Sequence, residues 1–211
     1  MYRPAVAGLS SGIIILALAG AFSIFYAGWA AVCVRAGVNP LKPANVDFPL
    51  SWFIAIVAVF AALIWGGIAV RRMAPHASAA QKDAAARARS KQIARKFLWA
   101  VAAEWLAIGI VALVMMHFQR PDLAWPAILF VVSAHFAPLG RLFRVRIYYF
   151  TAAMGCLATG IALAAPAASL GVGQRLFCAS AGFGATAWLT AAYLILNARK
   201  LAMLWNDAAS T

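Results

Sequence analysis

The composition of this chain excludes a water-soluble globular domain. Of its 211 residues, 65% are hydrophobic and 11% are charged, whereas a soluble domain carries about 25% charged residues. The formal net charge is +13, which on a soluble protein would suggest nucleic acid as a partner. In membrane proteins Lys and Arg collect in cytoplasmic loops, so we expect a lipid bilayer and no nucleic acid.

Six apolar runs follow one another along the chain, and a helix of about 20 residues crosses the roughly 30 Å hydrocarbon layer. The fourth run is short and has Pro126 in its first turn, where a missing N–H does no harm. It spans if it continues through Pro138 towards Phe143. The predicted fold is an all-α polytopic bundle forming one transmembrane domain, with spans at about 9–34, 51–70, 97–118, 122–139, 147–165 and 177–197.

The basic residues fall mainly on one side of these runs. Of the 18 Lys and Arg residues, four lie at outer positions if the N-terminus is cytoplasmic: Arg35, Lys42, Arg120 and Arg175. Because positive charge is enriched in cytoplasmic loops, this bias predicts six spans with both termini inside. The expected location is a bacterial-type inner membrane.

Residues 71–96 form the hydrophilic stretch between the second and third spans. Ser78 and Gln81 make a capping box, and the Ala, Lys, Arg and Gln that follow favour a helix. We predict a basic helix that continues into the third span and contacts anionic lipid headgroups or projects into the cytoplasm. The predicted headgroup contacts are Arg71, Arg72, Arg87, Arg89, Arg95 and Lys96.

Two ionisable residues lie inside predicted spans, where an acid costs at least about 2.5 kcal/mol if it faces lipid. Glu104 is eight residues past Lys96 and His135 is six residues before Arg141. These separations correspond to about 12 Å and about 9 Å from the same boundary. Since the third and fourth helices are sequential and antiparallel, we expect the two side chains to be at similar depth and able to meet.

The string from His135 to Phe143 is the most distinctive in the chain. Pro138 cannot donate to the carbonyl of Ala134, and Gly140 follows it, so the helix is predicted to kink or end here. The string H-F-x-P-L-x-x-L-F resembles a motif in a group of small bacterial multi-pass membrane proteins, a domain-of-unknown-function family. This resemblance implies a similar six-helix fold and importance for His135 and Pro138, but no activity.

Polar residues line one face of the fifth span and one face of the sixth. They are Tyr148, Thr151, Gly155 and Thr159 in the fifth and Thr186, Thr190, Tyr193 and Asn197 in the sixth. One interpretation is a polar pocket in the cytoplasmic half of the bundle. The other is ordinary interhelical hydrogen bonding, at about 0.6 kcal/mol each. The predicted ligand or proton site comprises Glu104, His135, Tyr148, Thr190, Tyr193 and Asn197.

These residues favour a protein that binds or transports a small solute or ion. Glu104 would be the anionic or proton-carrying group, and His135, with an ordinary pKa near 6.5, its titrating partner. One alternative is a non-enzymatic scaffold, assembly or regulatory subunit that uses the basic helix. Another is a lipid-modifying enzyme with His135 as general base.

No catalytic residue, metal site or cofactor is predicted, because five acidic residues leave little for acid–base or metal chemistry. A homo-oligomer or a membrane partner stays open. Cys33 and Cys178 are both expected near the outer face, where a disulfide could form, but the favoured role of all three cysteines is apolar packing.

Overall fold

The computed structural model describes residues 2–41, 49–72, 84–143, 145–165 and 169–201, and all of its long elements are α-helices. Six helices each contain a stretch long and apolar enough to cross a membrane. The predicted all-α, multi-pass fold is therefore confirmed. The helices are α1 (Tyr2–Arg35), α2 (Leu50–Arg72), α3 (Ala84–His117), α4 (Pro121–Phe143), α5 (Ile147–Ala164) and α6 (Val172–Leu196).

The third helix extends further beyond its membrane span than any other described helix. Its apolar part is Arg95–His117, but the helix begins at Ala84, so about 16 Å of helix precedes the span. This confirms the predicted helical extension for residues 84–96, which run into the third span as one helix. Ser78 and Gln81, the predicted capping box, lie outside the described residues.

Helix boundaries differ from the sequence prediction at α1, α4 and α6, and α1 begins at Tyr2 rather than near residue 9. The fourth helix does not end at Pro138 or Gly140 but continues to Phe143, and Pro121 rather than Pro126 occupies its first position. The sixth begins at Val172, five residues before the predicted start. The Gly171 N–H, just before this helix, donates to Gln174 Oε1 at 2.9 Å, which satisfies a backbone donor at the helix start.

At the centre of the bundle, α6 packs against α1, α4 and α5. Small residues let these helices approach closely, as is usual in membranes. A Cβ added to Gly184 of α6 would lie 2.7 Å from the Ile24 side chain and 3.1 Å from its backbone nitrogen on α1. Gly20 of α1 is likewise covered by the indole of Trp188 on α6.

Helices α2 and α3 lie at the two edges of this arrangement. The first packs mainly on α1, where Ser10 Oγ donates to the carbonyl of Gly67 at 2.8 Å, and the second packs on α4. No residue in the apolar window of α3 is buried. Side chains such as Trp105 and Leu113 are exposed along it, as is usual for a helix facing lipid.

Two helices end in the same backbone motif. After α1, the Val38 N–H donates to the Cys33 carbonyl and the Gly37 N–H to the Val34 carbonyl, with Gly37 at φ 68°. After α3, Arg120 and Gln119 donate to Met115 and Met116 in the same pattern. Here Gln119 takes the left-handed conformation, at φ 53°. Both ends are Schellman motifs, and the second uses a residue with a side chain.

Candidate polar site between helices α3 and α4

One stripe of α3 is partly covered, and the rest of the span is exposed. The stripe includes Phe97, Ala100, Glu104, Ala107 and Ile108, which recur at the spacing of one helix face. The small side chains of Ala100 and Ala107, one turn to either side of Glu104, suit a close approach of α4. Glu104 is the acidic residue in a seam that is otherwise apolar.

The Glu104 carboxylate meets the His135 imidazole of α4. His135 Nε2 lies 3.5 Å from Glu104 Oε2, and the two side chains are 10% and 17% exposed. This distance allows an ion pair, although it exceeds the 2.7–3.2 Å of most N–H···O hydrogen bonds. The expectation that these residues meet is therefore confirmed.

The pair places an acid and a base inside two membrane spans, Arg95–His117 and Pro121–Phe143. Each side chain shields the other from lipid, where an isolated charge would be costly. A carboxylate beside an imidazole can bind a proton, and the carboxylate can also attract a small cation. Within the described part of the chain, no cluster of three His, Cys, Asp or Glu side chains forms a metal site.

A second pair of opposite charges lies where α3 and α4 are joined, with Arg120 in the connecting turn and Asp122 in the first turn of α4. Arg120 Nε donates to Asp122 Oδ1 and Arg120 Nη2 donates to Asp122 Oδ2, each at 3.1 Å. These side chains are 48% and 21% exposed. Arg120–Asp122 is thus a surface ion pair, of the kind that contributes little to stability, and it provides a reference for the inner pair.

Tyr148 and Thr190, two further predicted site residues, are buried in the core. The Tyr148 ring lies 5.9 Å from that of Phe136 and 6.4 Å from that of Phe143. Thr190 Oγ1 lies 2.6 Å from Thr151 Oγ1 across the α5–α6 contact. Each hydroxyl also lies within hydrogen-bond distance of a carbonyl of its own helix. Because each has one proton, one hydroxyl can donate across the α5–α6 contact while the other donates to its own helix, which fits interhelical hydrogen bonding.

Tyr193 and Asn197 lie near the end of α6. Tyr193 is 42% exposed, and Asn197 Nδ2 donates to the Tyr193 carbonyl at 3.0 Å. Asn197 therefore satisfies one carbonyl of the last helical turn. The participation of Tyr148, Thr190, Tyr193 and Asn197 in one site with Glu104 and His135 stays a prediction.

The residues predicted to kink α4 have separate surroundings. Pro138 is exposed, whereas Gly140 is buried against α5, where an added Cβ would lie 3.1–3.2 Å from the Tyr149 ring. Gly140 therefore permits a close approach of α5 to α4. The kink itself stays a prediction.

Arg175 is a buried charged residue that the sequence analysis did not predict to be buried. Predicted to lie in an outer loop, it is instead in the first turn of α6 and only 3% exposed. Its Nη1 and Nη2 donate to the carbonyls of Ala162 and Ala165, at 3.0 and 2.6 Å, and Nε donates to that of Leu170. The free carbonyls at the end of any helix need such donors. An arginine shortly after a predicted helix end was therefore the sequence signal that could have indicated this role.

The predicted headgroup contacts are partly described. Arg71, Arg72, Arg95 and Lys96 are exposed, and the side chains of Arg87 and Arg89 lie outside the description. Cys33, Cys156 and Cys178 are free thiols, in agreement with their favoured role as packing residues.

Comparisons with known proteins add no relative to this chain. No protein-family model matches it, and neither a curated protein nor a solved structure is significantly similar. The resemblance of the 135–143 string to a bacterial membrane family therefore stays an expectation based on that string alone.

Proposed function

We propose that this integral membrane protein binds or transports a small solute or ion, and that Glu104 and His135 form its working site. The observation that carries this proposal is the 3.5 Å contact between Glu104 Oε2 and His135 Nε2 inside two apolar spans. Ionisable residues within a membrane mark ion and proton pathways more often than they serve as packing. The proposed setting is a bacterial-type inner membrane, with both termini cytoplasmic.

A proton is the ligand that the pair's own chemistry suits best. An imidazole has an ordinary pKa near 6.5, within the physiological range, and the Glu104 carboxylate lies 3.5 Å away as a charge partner. Glu104 would hold the negative charge, and His135 would accept and release the proton.

The test is proton flux through the purified protein in liposomes that contain a pH-sensitive dye. An imposed potassium diffusion potential should drive proton entry in the unmodified protein. Glu104→Gln, which keeps the size of the side chain but removes its charge, should reduce the initial rate by about tenfold or more, in the range of general acid–base effects. His135→Gln should act similarly.

The matched control is Asp122→Asn, which neutralises the carboxylate of the Arg120–Asp122 pair at the turn between the same two helices. Its flux should equal that of the unmodified protein. The proposal fails if the unmodified protein gives no flux above empty liposomes, or if Glu104→Gln leaves the flux intact. A nitrogen NMR titration of His135 that is unchanged by Glu104→Gln would contradict a coupled pair.

A second candidate function is that of a scaffold or regulatory subunit, favoured by the part of α3 that precedes the membrane span. The helix begins at Ala84, whereas the span begins at Arg95. A rigid basic rod outside the membrane is suited to contact a cytoplasmic protein. Charge reversal at Arg95 and Lys96 should then abolish function in cells while Glu104→Gln is silent, which is the opposite of the result expected for transport.

A further inference from the structure

Exposed positive charge is concentrated at one end of the bundle, here called the basic end. It comprises the ends of α2, α4 and α6, the start of α5 and the point near Arg95 where α3 enters its span. None of its exposed cations forms an ion pair within the described residues, where the two pairs found are Arg120–Asp122 and His135–Glu104. These cations are Arg71, Arg72, Arg95, Lys96, Arg141, Arg146, Arg199 and Lys200.

At the opposite end of the bundle, two of the three cations among the described residues are engaged by partners. Arg120 is neutralised by Asp122, and Arg175 is buried among three backbone carbonyls. Arg35 is exposed at the end of α1. Hydrogen-bond and ion-pair partners engage Arg120 and Arg175 at this end, whereas the cations of the basic end have no ion-pair partner among the described residues. The charge asymmetry between the two ends is therefore larger than the sequence alone indicates.

Four of the basic-end cations are brought together by the contact of α2 with α6. Both helices run antiparallel to α1, so they are parallel to each other, and Gly66 of α2 lies against Ile195 of α6. Arg71 and Arg72 follow Gly66 by five and six residues, and Arg199 and Lys200 follow Ile195 by four and five. Arg71 and Arg72 end α2, whereas Arg199 and Lys200 belong to the short helical segment 198–201 that follows α6 after Asn197, so all four lie at the same end of the bundle. We call them the α2–α6 cluster.

Directly beneath the α2–α6 cluster lies an apolar surface. Trp65 is 66% exposed and Leu196 is 83% exposed, and Ile68 lies between Trp65 and the arginines along α2. The Arg72 guanidinium is 5.7 Å from the centroid of the Trp65 ring. Cations above exposed apolar side chains match the two halves of a phospholipid, whereas a free phosphate ion would use the cations alone.

We propose that the α2–α6 cluster binds the headgroup of an anionic phospholipid, whose acyl chains lie along Trp65, Ile68 and Leu196. Guanidinium and ammonium groups form strong charge-assisted hydrogen bonds with phosphate oxygens. Basic clusters at a membrane boundary also gain affinity for anionic lipid from each added cation. This site is separate from the Glu104–His135 pair and does not depend on the proposed transport function.

The experiment is native mass spectrometry of the full chain in detergent, titrated with dioleoyl phosphatidylglycerol or dioleoyl phosphatidylcholine. We expect the unmodified protein to retain one phosphatidylglycerol with an affinity about tenfold or more above that for phosphatidylcholine. Arg71→Gln, Arg72→Gln, Arg199→Gln and Lys200→Gln, combined in one variant, should remove this preference. Inorganic phosphate at millimolar concentration should not displace the lipid.

The matched control removes the same charge from the other side of the basic end. It combines Arg95→Gln, Lys96→Gln, Arg141→Gln and Arg146→Gln, and it should keep the preference for phosphatidylglycerol. Equal loss in both variants would overturn the site in favour of diffuse attraction, and displacement by inorganic phosphate would overturn the lipid assignment. If the fourfold variant does not fold, the pair Arg71→Gln and Arg199→Gln should still lower the affinity by about fivefold, and an unchanged affinity would refute the proposal.

Discussion

The central helix α6 and the edge helix α3 are both long enough to span a membrane, but α6 packs against other helices and α3 is mostly exposed. Half of the apolar window of α6 is buried within the bundle, whereas none of that of α3 is. The edge helix is nevertheless the more hydrophobic of the two. Its exposed side chains are large and apolar, while the buried face of α6 is made of Gly, Ala, Ser, Thr and a few large residues.

This contrast reverses the rule that holds in water, where the most hydrophobic helix is the most buried. Lipid chains are as apolar as leucine, so hydrophobicity does not draw helices together in a bilayer. Close packing and hydrogen bonds do so instead, and both require small or hydroxyl-bearing residues. Fine packing should therefore matter along α6 and hardly at all on the exposed side of α3.

The largest expected effect comes from enlarging a glycine on each helix. Gly184→Leu would push a side chain into Ile24 of α1, and overpacking of this kind costs about 3 kcal/mol at its upper range. Gly109→Leu on α3 meets nothing within 4 Å and should leave stability unchanged. Unfolding in a dodecyl sulfate titration measures both, and equal destabilisation by the two would refute the contrast.

Arg175→Met tests whether the start of α6 is clamped by its buried arginine. The change leaves the carbonyls of Ala162, Ala165 and Leu170 without these donors, at a cost of about 2 kcal/mol. Arg120→Met, at the exposed pair beside α3, should give no measurable change. A thermal shift assay in detergent compares the two, and a silent Arg175→Met would show that water replaces the guanidinium.

A smaller effect is expected from the hydroxyl contact between α5 and α6. Thr151→Val or Thr190→Val removes one partner of the 2.6 Å contact and should cost about 0.6 kcal/mol, the average for interhelical hydrogen bonds in membranes. The double variant should cost less than the sum of the two single ones. Strict additivity would mean that the hydroxyls bond only to their own helices.

The smallest effect should come from the end of α3. Gln119 holds φ at 53°, a conformation that costs a residue with a Cβ about 1–2 kcal/mol. Gln119→Gly relieves this cost but adds about 0.5–1 kcal/mol of chain entropy, so a net gain of about 0.5 kcal/mol is expected. The reference is Gly37→Gln after α1, which should lose a similar amount in the same unfolding titration.

The positions of the helices and the matching depth of Glu104 and His135 could be predicted from the sequence. Apolar runs fix spans because each backbone group must bond within its own helix in lipid. Counting from Lys96 to Glu104 and from His135 to Arg141 located both residues at one level, because two helices joined by a short turn must run side by side.

Arg175 and Trp105 show where sequence reasoning stops. A charge between two apolar runs is read as a loop residue, and hydropathy cannot show that the carbonyls of α5 would surround it. In the same way, an indole in the middle of a span can pack inside or face lipid, and Trp105 is 68% exposed. Both outcomes depend on which helices become neighbours, and that is decided by packing across the whole bundle.

The packing of α3 mainly on α4 has a mechanical consequence. From Glu104 back to Ala84 the chain is one uninterrupted helix, about 30 Å long, anchored along one side to α4. A change in tilt of about 10° at the level of Glu104 would displace the Ala84 end of this helix by about 5 Å. A change in tilt of α3 within the bilayer would thus move the part of the helix that precedes the span, because no hinge or loop separates Ala84 from Glu104.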